Sequence, residues 1–486
     1  MKGNKKNSEK DIKGLTADKD DFSEWFTQLM LKADLADYTE VSGCIVFKPN
    51  AYSLWEKVIS GMDKRFKPLG IRNAYFPLFI PEKFLNKEKE HVEGFSPEVA
   101  WVTRIGDTEL AEKLAIRPTS ETIMYPSFSK WIRSWRDLPL KINQWNNVVR
   151  AEFRHPVPFF RTREFLWNEL HTVLATEKEA WAEGSAVLNA YDDFCSNEMA
   201  LYGVPGRKTE KEKFAGGVAS TKIHYILVNG RVIEGPCFHY DGQNFAKAYD
   251  IKFLNKDGKQ EYAHQNTYAI STRMLGAMFA VHSDSKGLII PPRMAINKAV
   301  IVPIYFDDSR DKVLKEAERI KSELSEFEAF VDSREQYNPG FKFNEWELKG
   351  VPIRIEIGPK DLEKKQAVVV RRDTGEKSSV SLKDIKKFVD KALEDIQNNL
   401  YARSKKLFES KVKKTDSISE LKKIISEKMV GISPLCKRVE CEDQVKADTG
   451  GAKVMFISDK DSVKGNEKCI VCGKKADYWA YVGKSY

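Results

Sequence analysis

No window of the sequence holds the roughly 18 consecutive apolar residues that a membrane helix requires, so a bilayer span is excluded. Cysteine is scarce and unevenly placed: seven in 486 residues, four of them after position 435. That is too few for the disulfide framework of a secreted scaffold. The first ten residues, Met1 to Lys10, are polar and lysine-rich and lack the apolar core of a signal peptide, which points to the cytoplasm. There is no internal repeat and no low-complexity tract, so a repeat array is excluded. Neither sign of charge dominates. Eighty Lys+Arg against 71 Asp+Glu leave +9 and a pI near 8.9, a mild excess that fits a polyanionic partner such as RNA without requiring one. What is present is 42% hydrophobic and 31% charged residues at a mean hydropathy of −0.48 in 55.7 kDa. At roughly 150 residues per domain this is the size of about three domains.

Residues 1–17 mix Lys, Asn, Asp and Glu with scarcely an apolar anchor and read as a solvated tail. From Asp18, Phe22, Trp25, Phe26, Leu29, Met30 and Ala33 recur at the spacing of an amphipathic helix. A second helix is expected after Pro49, with Asn50 as its cap and Tyr52, Trp55, Ile59, Met62 and Phe66 as its apolar stripe. Ile71 to Phe76 reads as a strand closed by Pro77. Between Trp101 and Tyr268 short strands alternate with loops around one helix, Lys178 to Leu201, which is α+β texture. Beyond Arg293 the texture becomes α/β: strand Ala299 to Phe306, helix Ser309 to Leu324, strands Val351 to Ile357 and Gln366 to Arg371, then a helix from Leu382 to Phe408.

Two segments carry chemistry. Val149-Arg150-Ala151-Glu152 and Arg161-Thr162-Arg163-Glu164-Phe165 flank a proline-bounded loop, as two strands with arginines at both ends. Arginine grips phosphate through paired N–H bonds and stacks on purines, and a carboxylate beside it accepts from an adenine amino group. Phe165, Trp167, Glu169 and His171 then alternate along one strand, so all four side chains share a face. Aromatic walls with a Glu and a His among them favour a pocket over plain core packing. The second segment is Cys436-x4-Cys441, then Cys469-x2-Cys472, two close cysteine pairs that read as a closed, structural tetrahedral zinc site.

Arg-x-Glu, a loop, then Arg-x-x-x-Phe resembles the second signature motif of class II aminoacyl-tRNA synthetases, and the segment ending at Pro77 resembles the first. The rest of the chain is similar to prolyl-tRNA synthetases of the archaeal and eukaryotic type. The matching segments are residues 117–122, 159–167, 206–217, 242–245, 341–353 and the closing Gly483-Lys484-Ser485-Tyr486. The resemblance implies an α+β class II antiparallel-sheet catalytic domain over 18–296. An α/β anticodon-binding domain over 297–400 and a small zinc-binding α+β domain over 401–486 follow it. It implies ATP-dependent attachment of L-proline to tRNA(Pro) by a homodimer, with Mg2+ accompanying the nucleotide and no protein nucleophile.

The roles follow residue by residue. Thr119 and Glu121, with Arg150, Phe165, Trp167, Glu169, His171 and His239, are expected to hold proline. Arg150, Glu152, Arg161, Thr162, Phe214, Glu234, Cys237, Ser271 and Arg273 are expected to hold ATP, with Arg150 and Arg273 as the catalytic arginines. Phe214 lies in a glycine-hinged loop expected to cover the site. Arg334, Glu345, Glu347, Lys349 and Arg354 are the candidates for reading the two guanines that proline anticodons share. Three positions depart from the pattern: Glu234 and Cys237 stand where the family usually has Gln and Thr, and Ala269 where a glycine often precedes the third motif. Glu234 is expected to remain a magnesium ligand. The altered pair also fits a relative that kept the fold and lost turnover; retention of Arg150, Glu152, Arg161 and Arg273 speaks against that. Finally, only roughly 100 residues separate Phe165 from Tyr268, which leaves no room for an inserted editing domain.

Overall fold

The computed structural model describes residues 14–91, 98–151, 156–458 and 463–486. Its frame is an eleven-stranded sheet. From one edge it runs through Arg72–Asn73, Leu140–Val149, Glu164–Leu174, His264–Ser271, Val232–Gly242, Ala219–Ile226 and Val204–Arg207. It then continues into four C-terminal strands, Lys453–Ile457, Tyr478–Gly483, Val430–Leu435 and Val412–Lys414. All neighbours are antiparallel except the pair at each edge. The sheet ladder passes from the first seven of these strands to the last four through one residue pair, Ile457 with Arg207.

Strand periodicity divides the central strands between two jobs. Leu170, Tyr268 and Phe238 face one side and are buried in the largest apolar cluster with Tyr191 and Phe194 of helix Glu177–Asn197 and with Trp55 and Phe66 of helix Pro49–Phe66. The helix Glu177–Asn197 starts at a capping box, in which Thr176 accepts from the Glu179 amide and Glu179 accepts from the Thr176 amide. It lies so close to the sheet that a Cβ at Gly184 would stand 2.1 Å from the Phe238 ring. The opposite face, freed from core packing, forms the cavity described below.

A second, five-stranded sheet holds Ala299–Pro303 and Ile353–Ile357 in parallel at its centre. Both strands are buried along their whole length and read as unbroken apolar runs apart from Arg354 and Glu356. Helices Arg310–Glu323 and Ile385–Ser410 cover them.

Local expectations needed correction in three places. Leu15 and Ala17 rest against the main cluster and Thr16 is bonded to Gln28, so packed residues reach into the expected tail; residues 1–13 lie outside the described residues. Helix Pro49–Phe66 has Lys48, not Asn50, at its N-cap with no side-chain bond; the Asn50 amide donates to Asp34 at 3.4 Å instead. The expected strand to Phe76 shrinks to Arg72–Asn73, because the Phe76 amide leaves the ladder to bond the Gln144 side chain.

Candidate active site

Register across the sheet sets the floor of a cavity of about 410 Å³. One row of opposed residues runs His171, Thr267, His239, Ser220; the next runs Glu169, Ala269, Cys237, Lys222; Trp167 then pairs Ser271. All of these but Ser220 line the cavity, and Thr119, Glu121, Arg150, Phe160, Phe165, Phe214, Glu234 and Arg273 close it.

At the His171 end the walls are polar, and among the described residues they carry no fixed positive charge. Glu169 accepts from the Ser120 amide at 3.0 Å, the Thr119 hydroxyl at 3.2 Å and Asn146 at 3.1 Å. This ties the sheet to the start of helix Glu121–Trp131. Thr119 also donates to Glu121, whose carboxyl is pushed up by burial against the opposing pull of that bond. Burial holds His171 down at about 4, with its Nδ1 3.1 Å from the Tyr125 hydroxyl. Burial, then the charge of Lys222, hold His239 down at about 3, with its Nδ1 2.7 Å from Ser220 Oγ. Both imidazoles are therefore neutral at pH 7. Phe214 lies over His239 with ring centroids 4.8 Å apart, in a loop that turns through Gly216 at φ 83°.

The other end is cationic. The Arg150 guanidinium carbon stands 5.1 Å from the Trp167 ring and 5.5 Å from Phe165, and its Nε donates to the Pro118 carbonyl at 3.1 Å. Arg273 donates to the carbonyls of Phe160 at 3.1 Å and Glu234 at 3.4 Å. Thr162 and Ser271 line this end as expected. Arg161, between the lining residues Phe160 and Thr162, is exposed and does not line the cavity. Glu152 lies outside the described residues.

Glu234, expected as a magnesium ligand, has both carboxylate oxygens engaged by lysines. Its two oxygens are each 2.7 Å from an ammonium, Lys208 on one and Lys222 on the other. Burial pushes its carboxyl up, but the two lysines outweigh this and hold it well below the usual range. Sequence reasoning missed both lysines and Phe160, although Lys222 alternates with Ser220 on a strand and so shares the cavity face.

Farther off, the five anticodon candidates come together around helix Pro339–Leu348. Arg334 is held by Asp332 at 2.7 Å and Glu345 at 2.6 Å, Lys349 by Glu345 at 2.8 Å, and Arg354 by Glu356 at 2.9 Å and Glu347 at 3.4 Å. The four C-terminal cysteine sulfurs lie within 4.8 Å of one another. Cys436 is 3.5 Å from Cys441 and 3.8 Å from Cys472; the edge of a tetrahedron with Zn–S bonds of about 2.3 Å is about 3.8 Å. The donor set and its spacing fit zinc.

Comparison with known proteins accounts for this layout. Residues 101–282 match the tRNA synthetase class II core domain (G, H, P, S and T), and residues 298–392 match an anticodon binding domain. The core is thus that of a class II aminoacyl-tRNA synthetase. Residues 418–486 match the prolyl-tRNA synthetase C-terminal domain. The proline–tRNA ligase of Natranaerobius thermophilus is 45% identical over 474 residues, 97% of each chain. A Saccharomyces cerevisiae relative is 42% identical over 503 residues, 97% of this chain and 73% of its own. A crystal structure of prolyl-tRNA synthetase from Cryptosporidium parvum, complexed with halofuginone and AMPPNP, superposes with a TM-score of 0.93 at 41% identity, covering 97% of this chain and 99% of that one. The chain belongs to the prolyl-tRNA synthetase family.

Proposed function

We propose that the chain is a proline–tRNA ligase that activates L-proline with ATP and transfers it to the 3′-terminal ribose of tRNA(Pro). The observation that carries this reading is one cavity with a carboxylate-bearing, imidazole-neutral end and an arginine-bearing end, joined by Arg150. A secondary ammonium is bound at Thr119 and Glu121, and neutral His171 and His239 offer it no repulsion. Phe165 and Trp167 enclose the pyrrolidine ring.

In the first step the proline carboxylate attacks the α-phosphorus and pyrophosphate leaves. Arg150 stabilises the negative charge that builds between the two groups, and Arg273 holds the departing phosphates. Thr162, Ser271 and Cys237 contact the nucleotide, and Phe214 excludes water over His239. In the second step a ribose hydroxyl attacks the adenylate carbonyl and AMP leaves. No protein nucleophile is needed. Mg2+ arrives with the nucleotide. Among the described residues the carboxylates lining the cavity already have partners: Glu121 with Thr119, Glu169 with Ser120, Glu234 with two lysines and Glu212 with Lys453. No step is assigned to the ion.

Cys436, Cys441, Cys469 and Cys472 would hold a zinc ion that fixes the C-terminal fold. Arg334, Glu345, Glu347, Lys349 and Arg354 would meet the anticodon, exchanging their mutual ion pairs for guanine edges. We read the enzyme as a cytoplasmic homodimer of the archaeal and eukaryotic type. Its relatives span bacteria and yeast, so the type rests on domain composition and on the lack of an insertion between the central strands rather than on source.

Proline-dependent exchange of pyrophosphate into ATP tests the reading. Arg150→Ala should abolish exchange while leaving the fold intact, because it removes a contact strongest in the transition state. Near-normal exchange by the folded variant would sink the assignment.

A further inference from the structure

Three cationic heads converge on one residue at the phosphate end of the cavity. Lys208 and Lys222 each lie 2.7 Å from an oxygen of the Glu234 carboxylate, and Arg273 Nη1 lies 3.4 Å from the Glu234 carbonyl. A lone carboxylate there would repel a polyphosphate; with two ammoniums upon it the sign is reversed. The two lysines are not equivalent. Lys208 is sealed, its side chain 1% exposed, with a further bond to the Met455 carbonyl at 2.8 Å. Lys222 lines the cavity, its side chain 22% exposed, and it stands directly across from Cys237 on the floor. Its flexible stem lets the ammonium turn from Glu234 to a ligand while Lys208 keeps the carboxylate neutralised.

We propose that Lys222 is a phosphate-binding residue that contacts the β,γ-phosphates of ATP beside Arg273, with Glu234 as its resting counter-ion. This deepens the ligase reading and rests on it for the identity of the nucleotide.

The test compares AMP with AMPPNP, which share the nucleoside and α-phosphate and differ in the tail. A charge-assisted hydrogen bond is worth about 1.5–3 kcal/mol, which is about tenfold to a hundredfold in affinity. Lys222→Met should therefore weaken AMPPNP binding by about tenfold or more and leave AMP binding within about twofold of the parent. In exchange assays it should raise KM for ATP and not for proline, and Lys222→Arg should recover most of the loss. Equal losses for AMP and AMPPNP, or none for AMPPNP, would overturn the proposal. The binding arm needs neither proline nor tRNA. A parent protein that binds AMPPNP through Lys222 but shows no proline-dependent exchange would defeat the ligase reading and leave the phosphate contact standing.

Discussion

Removing the last two residues tests whether the C-terminus is part of the catalytic apparatus. Tyr486 stacks on Phe160 with centroids 4.8 Å apart and planes 14° apart, and lies under the Arg231 guanidinium at 4.8 Å. Its hydroxyl accepts from Asn229 at 3.0 Å, and the Ser485 carbonyl accepts from Arg231 at 2.6 Å. The stack contributes about 1 kcal/mol, the cation–π contact about 0.5–1 and the hydrogen bonds about 1 each, so docking of the terminus amounts to about 3–4 kcal/mol. Phe160 is the residue that transmits the loss, since its carbonyl holds Arg273 Nε. Deleting Ser485 and Tyr486 should lower kcat/KM for ATP in pyrophosphate exchange by about tenfold or more. The melting temperature should fall by only a few degrees, because the contacts lie at the rim of a much larger core. Tyr486→Phe keeps the ring and loses one bond, and should stay within about fivefold of the parent. Full activity after truncation would refute the reasoning, as would a Tyr486→Phe variant as impaired as the deletion.

Metal analysis of the native protein should give one zinc per chain, lost in the Cys469→Ser, Cys472→Ser double variant; no zinc in the parent would contradict the site. Four buried histidines, His171 and His282 held at about 4 and His224 and His239 at about 3, are neutral in the folded state. The unfolded chain binds protons at these sites from about pH 6.5 downward, so stability present above that pH is lost as pH falls toward 4. By pH 5 this amounts to about 2 kcal/mol for each histidine; a melting temperature unchanged from pH 7 to 5 would exclude this. The chain between Glu164–Leu174 and His264–Ser271 is spent on helix Glu177–Asn197, helix Asn244–Tyr249 and strands, with no extra domain among the described residues. Alanine, which lacks two ring carbons worth at least about 0.8 kcal/mol each, should be rejected by no more than a few hundredfold, and cysteine less well. Both adenylates should be measurable, whereas deacylation of added Ala-tRNA(Pro) would reveal an editing site.

The sequence was most legible where one strand or one loop carries the whole pattern. Phe165, Trp167, Glu169 and His171 needed only the two-residue period, and the cysteine pairs needed only their spacing. It was least legible where partners come from separate strands. Glu234 reads alone as an acid available for metal; its lysines lie 26 and 12 positions earlier, one just after strand Val204–Arg207 and one within strand Ala219–Ile226, and a register shift between Lys222 and His224 helps set which side chains meet. The Arg334, Glu345 and Arg354 charges read alone as a solvated helix face, because the pairs Arg334 with Glu345 and Arg354 with Glu347 join a loop, helix Pro339–Leu348 and strand Ile353–Ile357, which only the fold brings together.

The C-terminal strands do more than extend the sheet. The ladder crosses the junction at one pair, the Val232 amide adds a backbone bond to the Lys484 carbonyl at 2.8 Å, and side chains carry much of the rest. Thr209 donates to Glu442 at 2.9 Å, Lys453 pairs with Glu212 at 2.6 Å, and His224 stacks on Phe456 at 4.1 Å. Glu442 adjoins Cys441 of the four-cysteine cluster, and Thr209 adjoins Lys208, the ammonium shared by the Met455 carbonyl and Glu234. Tyr486 closes the same wall from the other side through Phe160. The cationic end of the cavity is thus built from both modules, and the cysteine cluster lies within a few residues of the contacts that join them. Because Met455 and Tyr486 support the same wall as Phe160 and Glu234, that wall is complete only when both modules are folded against each other.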